Sequence, residues 1–250
     1  MQENSTKHPD IENIDWIHTI IIGSGAAGLN AALQLWNSGV TDILILTEGL
    51  DKGTSINTGS DKQTYYKLSQ YGEDEDSPVR MAETYFAGGS MHGDIALIEA
   101  ANSTRAFYNL VNAGVPFPHD TYGQFIGYKT DHDPRRRATS IGPYTSQEMC
   151  RALIKQIHLF KIPVWEGWVV TRLVVVEEDG SKRVAGVIAV DDTGQIKPIG
   201  CENVIFAVGG PGGLYATSVY PSGHTGAIGL ALMEGAEAQN IPESQYGLAS

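Results

Sequence analysis

The stretch from Trp16 to Glu48 constrains the fold of this 250-residue chain more than any other. Residues 16–22 form an apolar, largely β-branched run that stops at Gly23, the pattern of a strand buried on both faces of a parallel sheet. Beyond Gly25, residues Ala26, Ala27, Leu29, Ala32, Leu33 and Trp36 fit one face of a helix, and Gly39 supplies its stop. Residues 42–46 read as a second short buried strand. Strand, helix and strand within about 30 residues make a right-handed parallel unit. Its first turn is Gly23-Ser24-Gly25-Ala26-Ala27-Gly28, a GxGxxG loop. Gly23 permits the tight turn, Gly25 lets backbone approach a pyrophosphate, and Gly28 lets the helix lie close to the strand. The N–H groups of the helix start then face the phosphates. Glu48 follows Gly28 by 20 residues, at the end of the second strand, where a carboxylate accepts hydrogen bonds from ribose hydroxyls. A dinucleotide with an unphosphorylated adenosine ribose is expected, FAD or NAD rather than NADP.

The rest of the chain separates these two. Residues 49–63 lack periodicity and read as a loop rich in Gly, Thr, Ser and Asn. The acidic cluster at residues 73–76 reads as a solvated loop, placed before Ser77-Pro78, an N-cap followed by proline at the first helical position. Helices are predicted over 77–87 and 93–113, the second stopped by Gly114. Thr145 and Glu148 have capping-box spacing for a helix running to about residue 160. From there residues 164–176, 184–190 and 196–200 read as strands, divided by Asp179-Gly180 and Thr193-Gly194 turns into an antiparallel meander. Residues 204–208 are again an unbroken apolar run, ending in Gly209-Gly210, and re-enter the parallel sheet. The expected fold class is α/β, an FAD/NAD(P)-binding Rossmann-like domain with a parallel sheet and an antiparallel β-meander. An NAD-linked enzyme would be expected to continue in alternating strands and helices, whereas a long loop, helices and a meander is the layout of flavoproteins. Residues 1–16 form a polar tail and 17–250 the binding domain.

Composition excludes other classes. Seventeen Lys+Arg against 29 Asp+Glu give a net charge of −12, which speaks against nucleic acid and against an anionic membrane surface. With 42% hydrophobic and 18% charged residues, the chain can bury a sizeable core. No apolar run reaches the roughly 18 residues of an integral membrane segment, and the polar N-terminus has no signal pattern. A cytoplasmic protein is expected. Cys150 and Cys201 lack the spacing of a redox or metal pair and read as buried thiols. Asp131-His132-Asp133 with Arg135-Arg136-Arg137 reads as a surface turn, the alternative being an edge of a substrate cavity. His92 and Asp94 are ambiguous, and His224 reads as a helix-start residue or a substrate contact. Tyr65 and Tyr66 are expected to pack. No zinc cluster is recognisable.

The glycine loop, Glu48, the run from Gly53 to Ser60, Gly114-Val115-Pro116-Phe117 with Gly123, Gly209-Gly210-Pro211-Gly212, and Thr225-Gly226 leading to Gly235-Ala236 together carry a resemblance. From Ile17 onward the chain resembles the N-terminal part of the flavoprotein subunit of the succinate dehydrogenase/fumarate reductase family, which includes aspartate oxidase and soluble enoate reductases. The resemblance implies FAD held non-covalently, since the histidine that tethers the flavin in membrane-bound members is missing beside Thr54-Ser55. It implies cofactor contacts from Gly23, Ser24, Gly25, Ala26, Ala27, Gly28, Glu48, Gly49, Thr54, Ser55, Gly59, Ser60, Val169, Ala207, Gly209 and Gly210. The implied activity is hydride transfer at flavin N5 to or from a small carboxylate or carbonyl compound.

Two departures stand out. The family's Thr-Gly-Asp-Gly segment reads Thr225-Gly226-Ala227-Ile228-Gly229, and its Gln-Phe-His-Pro segment reads Gln245-Tyr246-Gly247-Leu248, without the histidine that binds a dicarboxylate. No proton donor can be named. The family's capping domain and C-terminal return are expected beyond Ser250, so the chain reads as the FAD-binding part of a longer enzyme, with a redox partner subunit or a missing C-terminal half as its partner. The alternatives are a non-catalytic dinucleotide-binding module or fragment completed by another chain, and an NAD-linked Rossmann dehydrogenase.

Overall fold

The computed structural model describes residues 14–59, 63–71, 75–131, 133–210, 212–214, 216, 224 and 227–239. Ser60, His132, Pro211, Thr225-Gly226 and residues 245–248, all singled out above, lie outside the described residues. In chain order the elements are β1 (Asp15–Ile22), α1 (Ala26–Asn37), β2 (Ile43–Thr47), α2 (Thr54–Asn57), β3 (Tyr65–Tyr66), α3 (Pro78–Phe86), α4 (Gly93–Asn112), β4 (Ala138–Thr139), α5 (Thr145–Leu159), β5 (Val164–Glu166), β6 (Trp168–Glu178), β7 (Ser181–Asp191), β8 (Ile196–Phe206), a 3-10 turn (Gly212–Leu214) and α6 (Gly229–Met233). The chain divides into two compact units, one of residues 1–53 with 160–234 and the other of residues 54–159 with 235–250.

The first unit is a six-stranded sheet in the order β5-β2-β1-β8-β7-β6. β5, β2, β1 and β8 pair in parallel, while β7 pairs antiparallel with both β8 and β6. Alternation along the strands divides the core. Ile20, Ile22, Leu44 and Leu46 are buried against Val170, Leu173, Val187, Ala189, Ile199 and Cys201 of the meander strands. Ile21 points the other way, its Cγ2 lying 3.3 Å from where a Cβ on Gly28 of α1 would stand. Leu29, Ala32 and Leu33 bury that helix face. Each such fully buried aliphatic side chain contributes about 1.5–3 kcal/mol, which is why the runs at 20–22 and 43–46 tolerate no polar residue.

Two strand expectations are revised. Residues 164–176 are not one strand, because Gly167, with φ 78°, breaks the run. β5 before it joins β2 at the parallel edge, and β6 after it joins the meander. Residues 196–200 and 204–208, expected as two strands, are the single strand β8. Its first half pairs with β7, while residues from Ile199 to Phe206 pair with β1.

In the second unit, Met81 of α3, Ala96, Ala100, Phe107 and Leu110 of α4, Cys150, Leu153 and Ile157 of α5, and Phe117 are buried. Ser77 caps α3 as expected, its side chain accepting from the Arg80 N–H at 3.2 Å, with Pro78 in the first turn. The capping box at α5 does not form. The Thr145 hydroxyl donates to Gly142 O at 2.8 Å and accepts from Ile141 N at 3.0 Å, while Glu148 pairs with Arg151 at 2.6 Å.

The largest correction concerns charge. Asp76, expected to be solvated, has a side chain only 1% exposed, and Arg137, expected on a surface turn, is fully buried. Arg137 donates Nε to Asp76 Oδ2 at 2.8 Å, Nη2 to Asp76 Oδ1 at 2.6 Å, and Nη1 to Thr84 Oγ1 at 2.9 Å and Tyr66 O–H at 3.2 Å. Tyr66 donates to Asp133, whose other oxygen accepts from Arg135 N at 2.9 Å. A buried cation must be met by carboxylate and hydroxyl acceptors, and here two acidic residues and two hydroxyls meet one guanidinium.

Candidate functional site

The carboxyl ends of β1, β2 and β8 meet, the place where open α/β sheets take ligands. Gly23 leaves β1 with φ 102°, and its N–H donates to Leu46 O at 2.9 Å. A Cβ there would lie 2.4 Å from Ala207 O, and Ala207 N donates to Ile22 O at 2.9 Å, so backbone alone fits between β1 and β8. A Cβ on Gly28 would stand 2.0 Å from Gly23 O. Helix and loop touch through backbone. Gly25 begins α1 in an extended conformation, with no side-chain cap and no acidic residue in the first turn, so the positive end of the helix dipole is left for an external anion. A Cβ on Gly53 would come within 3.6 Å of Gly25 Cα, so residues 49–53 run past the loop.

Ser24 is held from behind. Its buried hydroxyl meets Thr47 Oγ1 at 2.7 Å and donates to Gly49 O at 3.2 Å, tying the loop to the end of β2. Thr47 completes the knot by accepting from Gly49 N at 3.2 Å. Glu48 is exposed, and among the described residues its carboxylate makes no hydrogen bond or ion pair. Its carbonyl accepts from Gly167 N at 3.3 Å, the contact that fixes the break between β5 and β6. Glu166, which sequence reasoning missed, accepts from Leu50 N at 2.9 Å and anchors the segment beyond Glu48. No local pattern marks this pair, since 116 residues separate them.

Val169 lies in β6 opposite Val190, two residues after Gly167. Gly209 has φ 73°, and a Cβ there would lie 2.4 Å from His224 Nε2, so the imidazole packs on the glycine beyond β8. Burial lowers the His224 pKa, which favours the neutral ring. A Cβ on Gly210 would meet open space among the described residues. Gly23 to Gly28, Glu48, Gly49 and Ala207 are thus brought together at one end of the sheet. Thr54 and Ser55 begin α2 in the second unit, and Gly59 abuts Tyr144 there. Cys150 is buried as read, and burial raises its thiol to about 11, opposed by a hydrogen bond from Ser55. Tyr65 and Tyr66 pack as expected, against Phe107 and Tyr85. Among the described residues no group of His, Cys, Asp and Glu could hold a metal, and no helix is long and apolar enough to cross a membrane.

A glycine loop wedged between parallel strand ends, an uncapped helix start and a bare carboxylate on the next strand define a dinucleotide-binding α/β domain. The chain belongs to the FAD binding domain family, whose model matches residues 18–250. L-aspartate oxidase of Agrobacterium fabrum is 31% identical over 236 residues, covering 93% of this chain and 43% of that enzyme. L-aspartate oxidase of Streptomyces coelicolor is 28% identical over 234 residues, covering 91% and 39%. The Mycobacterium smegmatis Sdh1 complex in the apo form matches with a TM-score of 0.76 at 20% identity, covering 88% of this chain and 39% of that one, a likeness of fold. The family read from the sequence is borne out. The chain spans about two fifths of the length of the curated relatives it matches, at 43% and 39%.

Proposed function

We propose that this chain is the FAD-holding part of an FAD-dependent oxidoreductase acting on a small carboxylate or carbonyl compound, with FAD held non-covalently. The observation that carries this is the backbone wedge of Gly23 and Gly28 with Glu48 bare at the end of β2. Gly23 and Gly25 would let the pyrophosphate approach backbone, with the N–H groups of Ala26, Ala27 and Gly28 oriented by α1. Glu48 would accept from the ribose hydroxyls. The Ser24 hydroxyl, already bonded to Thr47 and Gly49, would hold the loop's shape rather than the ligand, leaving its N–H as the contact. Ala207, Gly209 and Gly210 would pass the cofactor by backbone, Val169 and Gly49 would line the adenosine end, and Thr54, Ser55, Gly59 and Ser60 would serve the flavin end. When bound, FAD supplies hydride transfer at N5.

We read residues 17–250 as one FAD-binding domain drawn from both compact units, supported by the span of the family match. A complementary segment, on the same chain or a partner subunit, would supply the proton donor. The cytoplasm is the compartment we favour, supported by two buried free cysteines.

The test is the visible spectrum of the purified chain. A flavin band released by denaturation is expected, and a colourless protein that takes up no added FAD sinks the reading. Glu48→Ala should weaken FAD by about tenfold or more, the loss of hydrogen bonds to a charged acceptor. Unchanged affinity removes Glu48 from the ribose.

A further inference from the structure

We infer that the second unit carries an oxyanion-binding site built from the Lys67 amine and the hydroxyls of Thr139 and Ser146. Lys67 is 1% exposed, yet among the described residues its Nζ makes no hydrogen bond and no ion pair. Its nitrogen stands 4.9 Å from the centre of the Phe107 ring, and a ring face offsets only part of the cost of burying a cation. The fold answers its other buried cation very differently, surrounding Arg137 with Asp76, Asp133, Tyr66 and Thr84. Those acceptors are spent, and neither carboxylate reaches Lys67.

Two hydroxyls of the same unit also stand unanswered among the described residues. Thr139 is 1% exposed, and its Oγ1 is buried without a partner among the described residues. Thr139 lies opposite Tyr65 on the β3–β4 ribbon, and Lys67 N donates to Arg137 O at 3.0 Å, extending the pairing one residue beyond Tyr66 and Ala138. Tyr65 and Lys67 both meet Phe107, so they share a face, and an opposed residue such as Thr139 shares it too. The Lys67 and Thr139 backbones are therefore diagonal neighbours, about 7–8 Å apart. Ser146 joins from the start of α5. Its N–H donates to Gln63 Oε1 at 3.2 Å, two residues before Tyr65, while its own Oγ is buried without a partner among the described residues.

The amine of a lysine only 1% exposed and two buried hydroxyls without partners match an acceptor-only ligand carrying negative charge, a carboxylate or a phosphate. Burial lowers the Lys67 pKa, the response of a cation with no counter-charge, and a bound oxyanion would reverse it. The site lies wholly within the second unit and does not depend on the dinucleotide reading.

The test uses the full purified chain in a chloride buffer at constant ionic strength. Acetate, malonate and inorganic phosphate are titrated separately while the unfolding midpoint and the flavin spectrum are followed. A saturable rise in midpoint with a carboxylate, with phosphate or with both is expected, and which arm responds identifies the source. Lys67→Met and Thr139→Val should each weaken that response by about tenfold or more. Lys67→Met should also raise the midpoint in the absence of oxyanion, having removed an unanswered cation. A wild-type chain that responds no more than to chloride, or variants that respond like wild type, overturns the site. If Lys67→Met fails to fold, Thr139→Val, which deletes only a hydroxyl, decides alone. Failure here with an intact flavin band leaves the FAD assignment standing.

Discussion

Gly28 and Gly210 are the same residue type with opposite surroundings. A Cβ on Gly28 would sit 2.0 Å from the carbonyl oxygen of Gly23, and backbone on both sides cannot yield. A Cβ on Gly210 would meet no heavy atom of the described residues within 4 Å, its chain neighbours aside. Gly28→Ala should therefore cost about 1–3 kcal/mol, the range for overpacking, and should loosen FAD because the shift passes directly to Gly23. Gly210→Ala should stay within about 0.5 kcal/mol. Urea midpoints of the two variants check this. Equal destabilisation would mean that the helix relaxes away from β1 and that the wedge is not rigid. Glycine count alone, 29 in the chain, could not separate the two positions. Spacing could, because Gly28 falls in the first turn of the helix that follows β1.

At the scale of elements, the clamp from Asp76 to Arg137 ties the segment entering α3 to the start of β4. Burial alone would raise the Asp76 pKa, but the bonds from Arg137 and the N–H groups of Ser69 and Ser77 outweigh it and the net shift is downward. A carboxylate depressed in the folded state contributes stability that is present above its unfolded pKa, near 3.9, and is lost as pH falls through the lower folded value. The acid limb of stability below about pH 4 should thus carry an Asp76 component. Asp76→Asn should cost about 3–5 kcal/mol at neutral pH, because it leaves Arg137 buried without its bidentate partner, and should flatten that limb. Urea unfolding from pH 2.5 to 7 tests both points. Parallel acid limbs in the wild type and variant would assign acid sensitivity elsewhere. Nothing local announces this clamp. Asp76 sits among acids and Arg137 among arginines, 61 residues away, so each reads as solvated until the fold brings them together. What was legible was periodic: β1, α1, β2, α3 and α4 follow from apolar spacing and turn residues. The break at Gly167 was hidden because apolar residues continue on both sides of it. The failed capping box at Thr145 shows the complementary limit. The motif specifies groups able to bond, and the loop carbonyl of Gly142 competed for the same hydroxyl.

For the whole molecule, the decisive asymmetry is between a net charge of −12 and the site proposed to receive phosphates. At long range the chain repels a dinucleotide. At short range, an uncapped helix start attracts it over less than a turn. These two effects differ in their response to salt, since the Debye length falls from about 30 Å at 0.01 M to about 8 Å at 0.15 M. Screening should remove the repulsion first, so ADP affinity should hold steady or tighten as sodium chloride rises across that range, the reverse of a basic nucleotide-binding surface. Ligand identity adds a second axis. On the proposed assignment the glycine loop and Glu48, at one end of the first unit, would address an adenosine diphosphate, so ADP should stabilise the cofactor-free chain by about 2.7 kcal/mol at a hundredfold excess over its Kd. FMN, which lacks the adenosine ribose and the second phosphate, should produce no comparable rise. Thermal unfolding with ADP and FMN at low and physiological salt checks both expectations. A stronger response to FMN, or an ADP response that collapses with salt, would mean that the phosphates are held by side-chain cations rather than by the backbone of residues 23–28.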